Sequence, residues 1–168
     1  MVEATFRLLQ DRSPDQITVR DVAGASGHHH RFIPAWFGGK VGLFRAAFDR
    51  MIQDAAQRIR PPLAVHEGFR QDLRATVALM NWLVAVDPGS LDGPRPTPII
   101  DQVAEIYREN YGLDRELARL MALRVVGGSI AAMLHGGPLG LTPHDVAALA
   151  LLERELAQLL SQSRSSSD

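Results

Sequence analysis

Apolar residues along the chain recur at spacings of three and four, and runs alternating apolar with polar residues are nearly absent. This pattern predicts helices and no sheet. Gly and Pro clusters punctuate the helices. The first predicted helix covers about residues 2–12, with Ala4, Thr5, Leu8 and Leu9 on one side, and Ser13-Pro14-Asp15 breaks it. A short helix follows at about Val19–Ser26. Thr18 is its expected N-cap, Asp21 closes a capping-box arrangement, and Gly27 ends it. A third short segment is expected over about residues 29–36, stopped by Gly38-Gly39. A proline in a helix interior costs about 3 kcal/mol, so Pro34 moves the expected start of this helix toward Arg31. A longer helix then runs over about residues 40–59, ended by Pro61-Pro62.

Beyond this point the chain changes character. A strongly apolar helix is expected over about residues 67–86. Residues 87–98 hold four prolines and two glycines and read as a loop. Residues 99–111 are expected to be helical. Asp114 caps another helix to about His135, where Gly136-Gly137-Pro138 stops it. Thr142 caps the last helix, with Pro143 at its first position and Asp145 in its first turn, and an end near Ser161. The Ser-rich residues 162–168 are expected to form a disordered tail.

Composition narrows the function classes. The chain has 168 residues, the size of one compact domain or of one domain with an appendage. It is 46% apolar and 22% charged, which are globular values. There is no Cys, so disulfides, thiolate metal sites and cysteine nucleophiles are excluded. No apolar run approaches the roughly 18 residues a membrane span needs, and no signal core opens the chain, so the expected compartment is the cytoplasm. A Gly-rich phosphate loop, an HExxH pair and a serine elbow are all missing, so no catalytic residues are predicted and no enzyme is expected. Net charge is −1 and unevenly distributed. Residues 1–60 carry nine basic and six acidic side chains, and the remainder nine and thirteen, so the basic excess lies in the first third.

The chemistry concentrates in residues 17–51, ITVRDVAGASGHHHRFIPAWFGGKVGLFRAAFDRM, which read as a helix-turn-helix followed by a longer helix. Val19, Val22 and Ala23 can face inward, with Ile33 and Phe37 plugging the core from the second helix. That leaves His28, His29, His30, Arg31 and Ala35 outward, where a helix in the major groove reads base edges. The three consecutive histidines invite a metal reading. Consecutive helical side chains diverge by about 100°, so three in a row do not converge on one ion, and neither metal nor cofactor is expected.

At these residues the segment resembles the DNA-binding domain of TetR-type transcriptional regulators. The resemblance is carried by Thr5, Leu8 and Leu9, by TVRDVAGASG at 18–27, by WFGGK at 36–40 and by LFRAAFDRM at 43–51, in order over about the first 55 residues. It implies that Thr18 caps the second helix and touches a phosphate, that Arg20 reaches the backbone, and that Trp36 packs on it. Lys40 would contact a phosphate from the start of the fourth helix. His29, His30 and Arg31 would take the base-reading end, with Arg31 aimed at guanine. The sequence departs from the family pattern at Pro34, in having a His triplet where a helix cap is usual, and at its start. Met1 already lies in the first helix, so the residues that usually precede it lie upstream or are missing.

The same resemblance implies an apolar ligand pocket in the later helices, with a few polar groups for orientation. Candidates are Met80, Asn81 and Trp82, then Gln102, Tyr107 and Tyr111, then Met121 and Arg124. Asn81 interrupts the apolar run 78–86, and a buried amide there would need partners. The last two helices read as a dimer interface. Val146, Leu149, Leu152, Leu156 and Leu159 form one stripe, Leu151 and Leu160 widen it, and Val126, Ile130 and Met133 join it from the preceding helix. Paired about a two-fold axis, they would form a four-helix bundle.

The expected protein is therefore all-α, with an N-terminal three-helix DNA-binding domain at 1–48 and a C-terminal helical ligand-binding and dimerisation domain at 49–161. Its expected partners are double-stranded DNA carrying a palindromic operator, a small-molecule effector and a second copy of itself, with no membrane. The expected function is sequence-specific transcriptional regulation by a ligand-released repressor. The alternative is a module of the same fold that binds a ligand or protein and has lost specific DNA recognition.

Overall fold

A computed structural model describes residues 1–60, 67–89, 91–92 and 96–165. Every regular element among them is helical. The order is α1 (Val2–Asp11), a 3-10 turn (Pro14–Gln16), α2 (Val19–Ser26), α3 (Phe32–Phe37), α4 (Lys40–Arg58), α5 (Glu67–Val86), α6 (Pro98–Tyr111), α7 (Arg115–His135) and α8 (Pro143–Ser165). The all-α expectation holds, and no helix among the described residues is long and apolar enough to cross a membrane.

The helix starts follow from local chemistry. Thr18 Oγ1 accepts from the Asp21 N–H at 3.2 Å, and Asp21 Oδ2 accepts from the Thr18 N–H at 2.7 Å, a reciprocal capping box. Asp114 Oδ1 accepts from Leu117 N–H at 2.8 Å, and Thr142 Oγ1 from Asp145 N–H at 3.2 Å. Gly27 ends α2 in the left-handed region at φ 68°, where a Cβ would be strained. Pro34 is the third residue of α3. Its missing N–H falls in the first turn, where no intrahelical partner exists. The helix begins at Phe32 with Arg31 as its N-cap, close to the start that Pro34 implied, and the proline falls in its first turn.

By packing, the chain divides into two compact units, one holding α1–α5 and the other α6–α8. In the first, α4 packs on α1, α3 and α5, and α1 on α2 and α5. Leu9, Ile17, Val22, Ile33, Leu43, Phe44, Leu79 and Leu83 form its buried core. In the second, α6 packs most extensively on α7, and α8 touches both. Val103, Tyr107, Leu113, Ala118, Met121, Ala122 and Ala157 form that core. This division records which helices pack together; the assignment of 1–48 to DNA and 49–161 to ligand is a functional one.

Two expectations about chain segments change. The 3-10 turn at Pro14–Gln16 stands where a plain break was predicted. α8 continues to Ser165, so 162–165 are helical and not part of a disordered tail. Pro61-Pro62 and residues 166–168 lie outside the described residues.

Candidate nucleic-acid interface

The helix-turn-helix is built from α2, the turn 27–31 and α3. Ile33 is fully buried and anchors α3 in the core, while Phe37 packs at its edge. At the other end α3 meets α4 so closely that a Cβ on Gly42 would lie 1.7 Å from the Phe37 carbonyl oxygen. Only glycine lets the two helices approach this way.

The anchored edge leaves a continuous exposed surface. His28, His29, His30, Arg31, Ala35 and Trp36 are all exposed, as the sequence predicted, with Trp36 at 58%. The rings organise it. Trp36 stacks on Phe32 at 4.8 Å and meets His28 edge-on at 6.1 Å. His29 and His30 stack at 4.4 Å, and the Arg31 guanidinium lies 5.2 Å from the Phe32 ring centroid. His28 Nδ1 lies 2.7 Å from the Ser26 carbonyl, and His29 Nδ1 accepts from the Arg31 N–H at 3.2 Å. These bonds hold the histidines in a turn and not in a helix, so His28–His30 stand ahead of α3. Phe32 went unnoticed in the sequence, although its i,i+4 spacing to Trp36 is a readable signal.

Thr18 and Arg20 are exposed on the same unit. The Thr18 hydroxyl donates to Asp21 Oδ2 at 2.8 Å, so its proton already has an acceptor. The Thr18 backbone N–H, then its hydroxyl, and Arg12 at 3.3 Å hold the Asp21 carboxyl below its ordinary value.

Lys40 turns partly inward. Its ammonium is half-buried and donates to the Pro14 carbonyl at 2.9 Å. It also lies 5.0 Å from the Phe44 ring centroid and 4.9 Å from that of Trp82. Desolvation lowers its pKa, against the opposing pull of Asp15 and Asp21. Pro14 and Trp82 are 26 and 42 residues from Lys40, so no local spacing rule announces them, whereas Phe44 stands at the readable i,i+4 spacing.

The predicted ligand residues fall in both units. In the first, Met80 and Trp82 pack at the edge of the core, and Trp82 Nε1–H donates to Asp15 Oδ1 at 2.7 Å. Asn81 is exposed, which corrects its reading as an amide inside an apolar run. α5 buries Ala75, Val77, Leu79 and Leu83, and turns Ala78, Asn81 and Val84 outward. In the second unit, Tyr107 and Met121 are buried and Gln102 and Tyr111 partly so. Arg124 pairs with Glu153 of α8 at 3.1 Å. The other carboxylate oxygen of Glu153 is buried without a hydrogen-bond partner among the described residues. Burial first, then the charge of Glu153 and Tyr111, pushes Tyr107 up to about 12. Glu153 was missed in the sequence, where a carboxylate among the leucines of the last helix was its one signal.

On the predicted interface, Val146, Leu149, Leu152 and Leu159 are exposed, as are Leu151 and Leu120 and Leu123 of α7. Val126, Ile130, Met133 and Leu156 are partly buried, and Val126 and Leu156 pack against the second core.

No family model matches the sequence, and no match is found among curated proteins. Among solved structures, the chain is similar to the TetR family repressor AlkX from Dietzia sp. strain DQ12-45-1b, a protein implicated in biodegradation of n-alkanes. The two are 24% identical, the match covers 96% of this chain and 93% of that one, and the TM-score is 0.56. The chain, with its N-terminal helix-turn-helix followed by further helices, is built on the fold of this TetR family repressor.

Proposed function

We propose that the protein is a homodimeric transcriptional regulator that binds a palindromic DNA operator and is released from it by a small-molecule effector. The observation that carries this reading is the exposed edge formed by His28–Arg31, Ala35 and Trp36, held out from a helix-turn-helix whose inner face is locked by Ile33. A helix presented this way fits the major groove. Arg31 offers the bidentate donor set that pairs with guanine. Arg20 and Thr18 flank it for backbone contacts.

The exposed apolar stripe of α8 supports the dimer. Five of its large side chains, Val146, Leu149, Leu151, Leu152 and Leu159, are solvent-facing in one chain. Burying them against a second copy removes that cost and would set two recognition helices about one turn of DNA apart. The effector site belongs to the second unit. Tyr107, a neutral donor, and the Arg124–Glu153 pair supply polar groups beside the apolar Met121. An effector that binds better to a dimer with the wrong groove spacing shifts the population away from DNA.

The test is a nuclease footprint on the protein's own upstream DNA with wild type and Arg31→Ala. A two-fold symmetric footprint that Arg31→Ala weakens by roughly ten- to a hundredfold supports the reading. One observation favours a second reading, a ligand- or protein-binding module without specific recognition. α3 has only six residues, and His28–His30 precede it. No footprint, with a small molecule or protein still stabilising the chain, would establish that reading instead.

A further inference from the structure

Lys40 and the 3-10 turn are not side by side in sequence, yet one ring on α5 touches both. Trp82 receives the Lys40 ammonium at 4.9 Å on its face and donates its Nε1–H to Asp15 at 2.7 Å. Phe44, one turn along α4, lies 5.0 Å from Trp82 and covers the same ammonium at 5.0 Å. Lys40 closes the set by donating to the Pro14 carbonyl at 2.9 Å. Pro14 and Asp15 lie in the turn that leads directly to Thr18, the cap of α2. Lys40 is the first residue of α4, reached from α3 through Gly38-Gly39. The entry and the exit of the helix-turn-helix are therefore both fastened to Trp82.

We propose that Lys40 and Trp82 form a clamp that positions the helix-turn-helix for DNA, and that Lys40 acts through this clamp and not as a phosphate ligand. The proposal rests on the DNA-binding reading above. To reach a phosphate, the ammonium would have to leave a carbonyl and two ring faces at once. A cation held between aromatic faces and partly desolvated gains from both. Trp82, expected from the sequence to line a ligand pocket, is then a positioning residue.

Full-length protein is titrated against a fluorescent duplex from its own upstream region over a salt series. Lys40→Met and Trp82→Leu each weaken binding roughly tenfold, with the slope of log affinity against log salt unchanged. Trp82→Phe keeps a ring over the ammonium but loses the bond to Asp15, so it recovers only part of the loss and binds about as Asp15→Ala does. Asp15→Ala gives the sharpest reading. Removing a carboxylate near DNA strengthens binding if only charge matters, whereas loss of the indole's acceptor loosens the clamp and weakens it. Asp15 is exposed, so this variant also serves if Lys40→Met or Trp82→Leu fails to fold. Tighter binding by Asp15→Ala, or a Lys40→Met slope shallower by about 0.9, overturns the proposal. If wild type binds no DNA, the DNA-binding reading fails, and a thermal double-mutant cycle decides the clamp. A Lys40→Met/Trp82→Leu protein no less stable than the weaker single variant supports it, and additive losses overturn it.

Discussion

The Phe37 carbonyl oxygen stands 1.7 Å from where a Cβ on Gly42 would be, so α3 and α4 meet through a glycine that has no substitute. Gly42→Ala forces that oxygen away and tilts α3 relative to α4. Overpacking of this kind costs about 1–3 kcal/mol. Thermal unfolding should show a lower midpoint. An unchanged midpoint would mean that the helices separate freely and that their angle is not fixed here.

The capping box at α2 gives a pH-dependent contribution of known sign. Thr18 and Arg12 hold the Asp21 carboxyl below its ordinary 3.8 in the folded chain. The stabilisation it provides is present above that value and is lost as pH falls through the lowered folded value. Asp21→Asn should flatten this acid limb of the stability profile. Thr18→Ala, which removes the hydroxyl acceptor, should cost about 1 kcal/mol at neutral pH. Denaturant midpoints from pH 2.5 to 7 check both, and an acid limb that survives Asp21→Asn unaltered would contradict the assignment.

Alkaline titration should show Tyr107 ionising late. Tyr107 is pushed up to about 12 by burial, with Glu153 and Tyr111 adding to it. The unfolded chain releases that proton near 10, so stability falls as pH rises from about 10 toward 12. Absorbance of the phenolate should show one late step that Tyr107→Phe removes. A Tyr107 that ionises near 10 in the folded protein would rule this environment out.

Leu152 and Leu159 face solvent in the single chain, Leu159 at 63%. Leu152→Glu should therefore leave the folded chain within roughly 0.5 kcal/mol of wild type while abolishing the proposed dimer. Light scattering across a concentration series would show a monomer for the variant and a dimer for wild type. A wild type that stays monomeric at tens of micromolar would remove α8 as the interface.

Much of the fold could be read from the sequence because its punctuation is local. Thr18 with Asp21, Asp114 and Thr142 each bond a backbone N–H three residues on, and the sequence shows them at that spacing. The exposed face of residues 28–36 was legible for a similar reason, since the buried Ile33 fixes which side turns out. What could not be read depends on distant partners. The turn at Pro14–Gln16 is braced by Lys40 and Trp82, and Lys40 turns inward because rings from α4 and α5 meet there. Asn81 failed for another reason. A run of apolar residues hides which face of the helix is wet, and α5 exposes Val84 and Val86 along with it.

A DNA reader prefers its own operator and holds it through phosphate contacts. Fluorescence anisotropy with duplex from the protein's own upstream region, against a scrambled duplex of equal length and over a salt series, tests this most directly. The expected result is preference for the upstream duplex and an affinity that falls steeply with salt, by about 0.9 in log–log slope for each phosphate contacted. Equal, weak binding to both duplexes, or none, would contradict it.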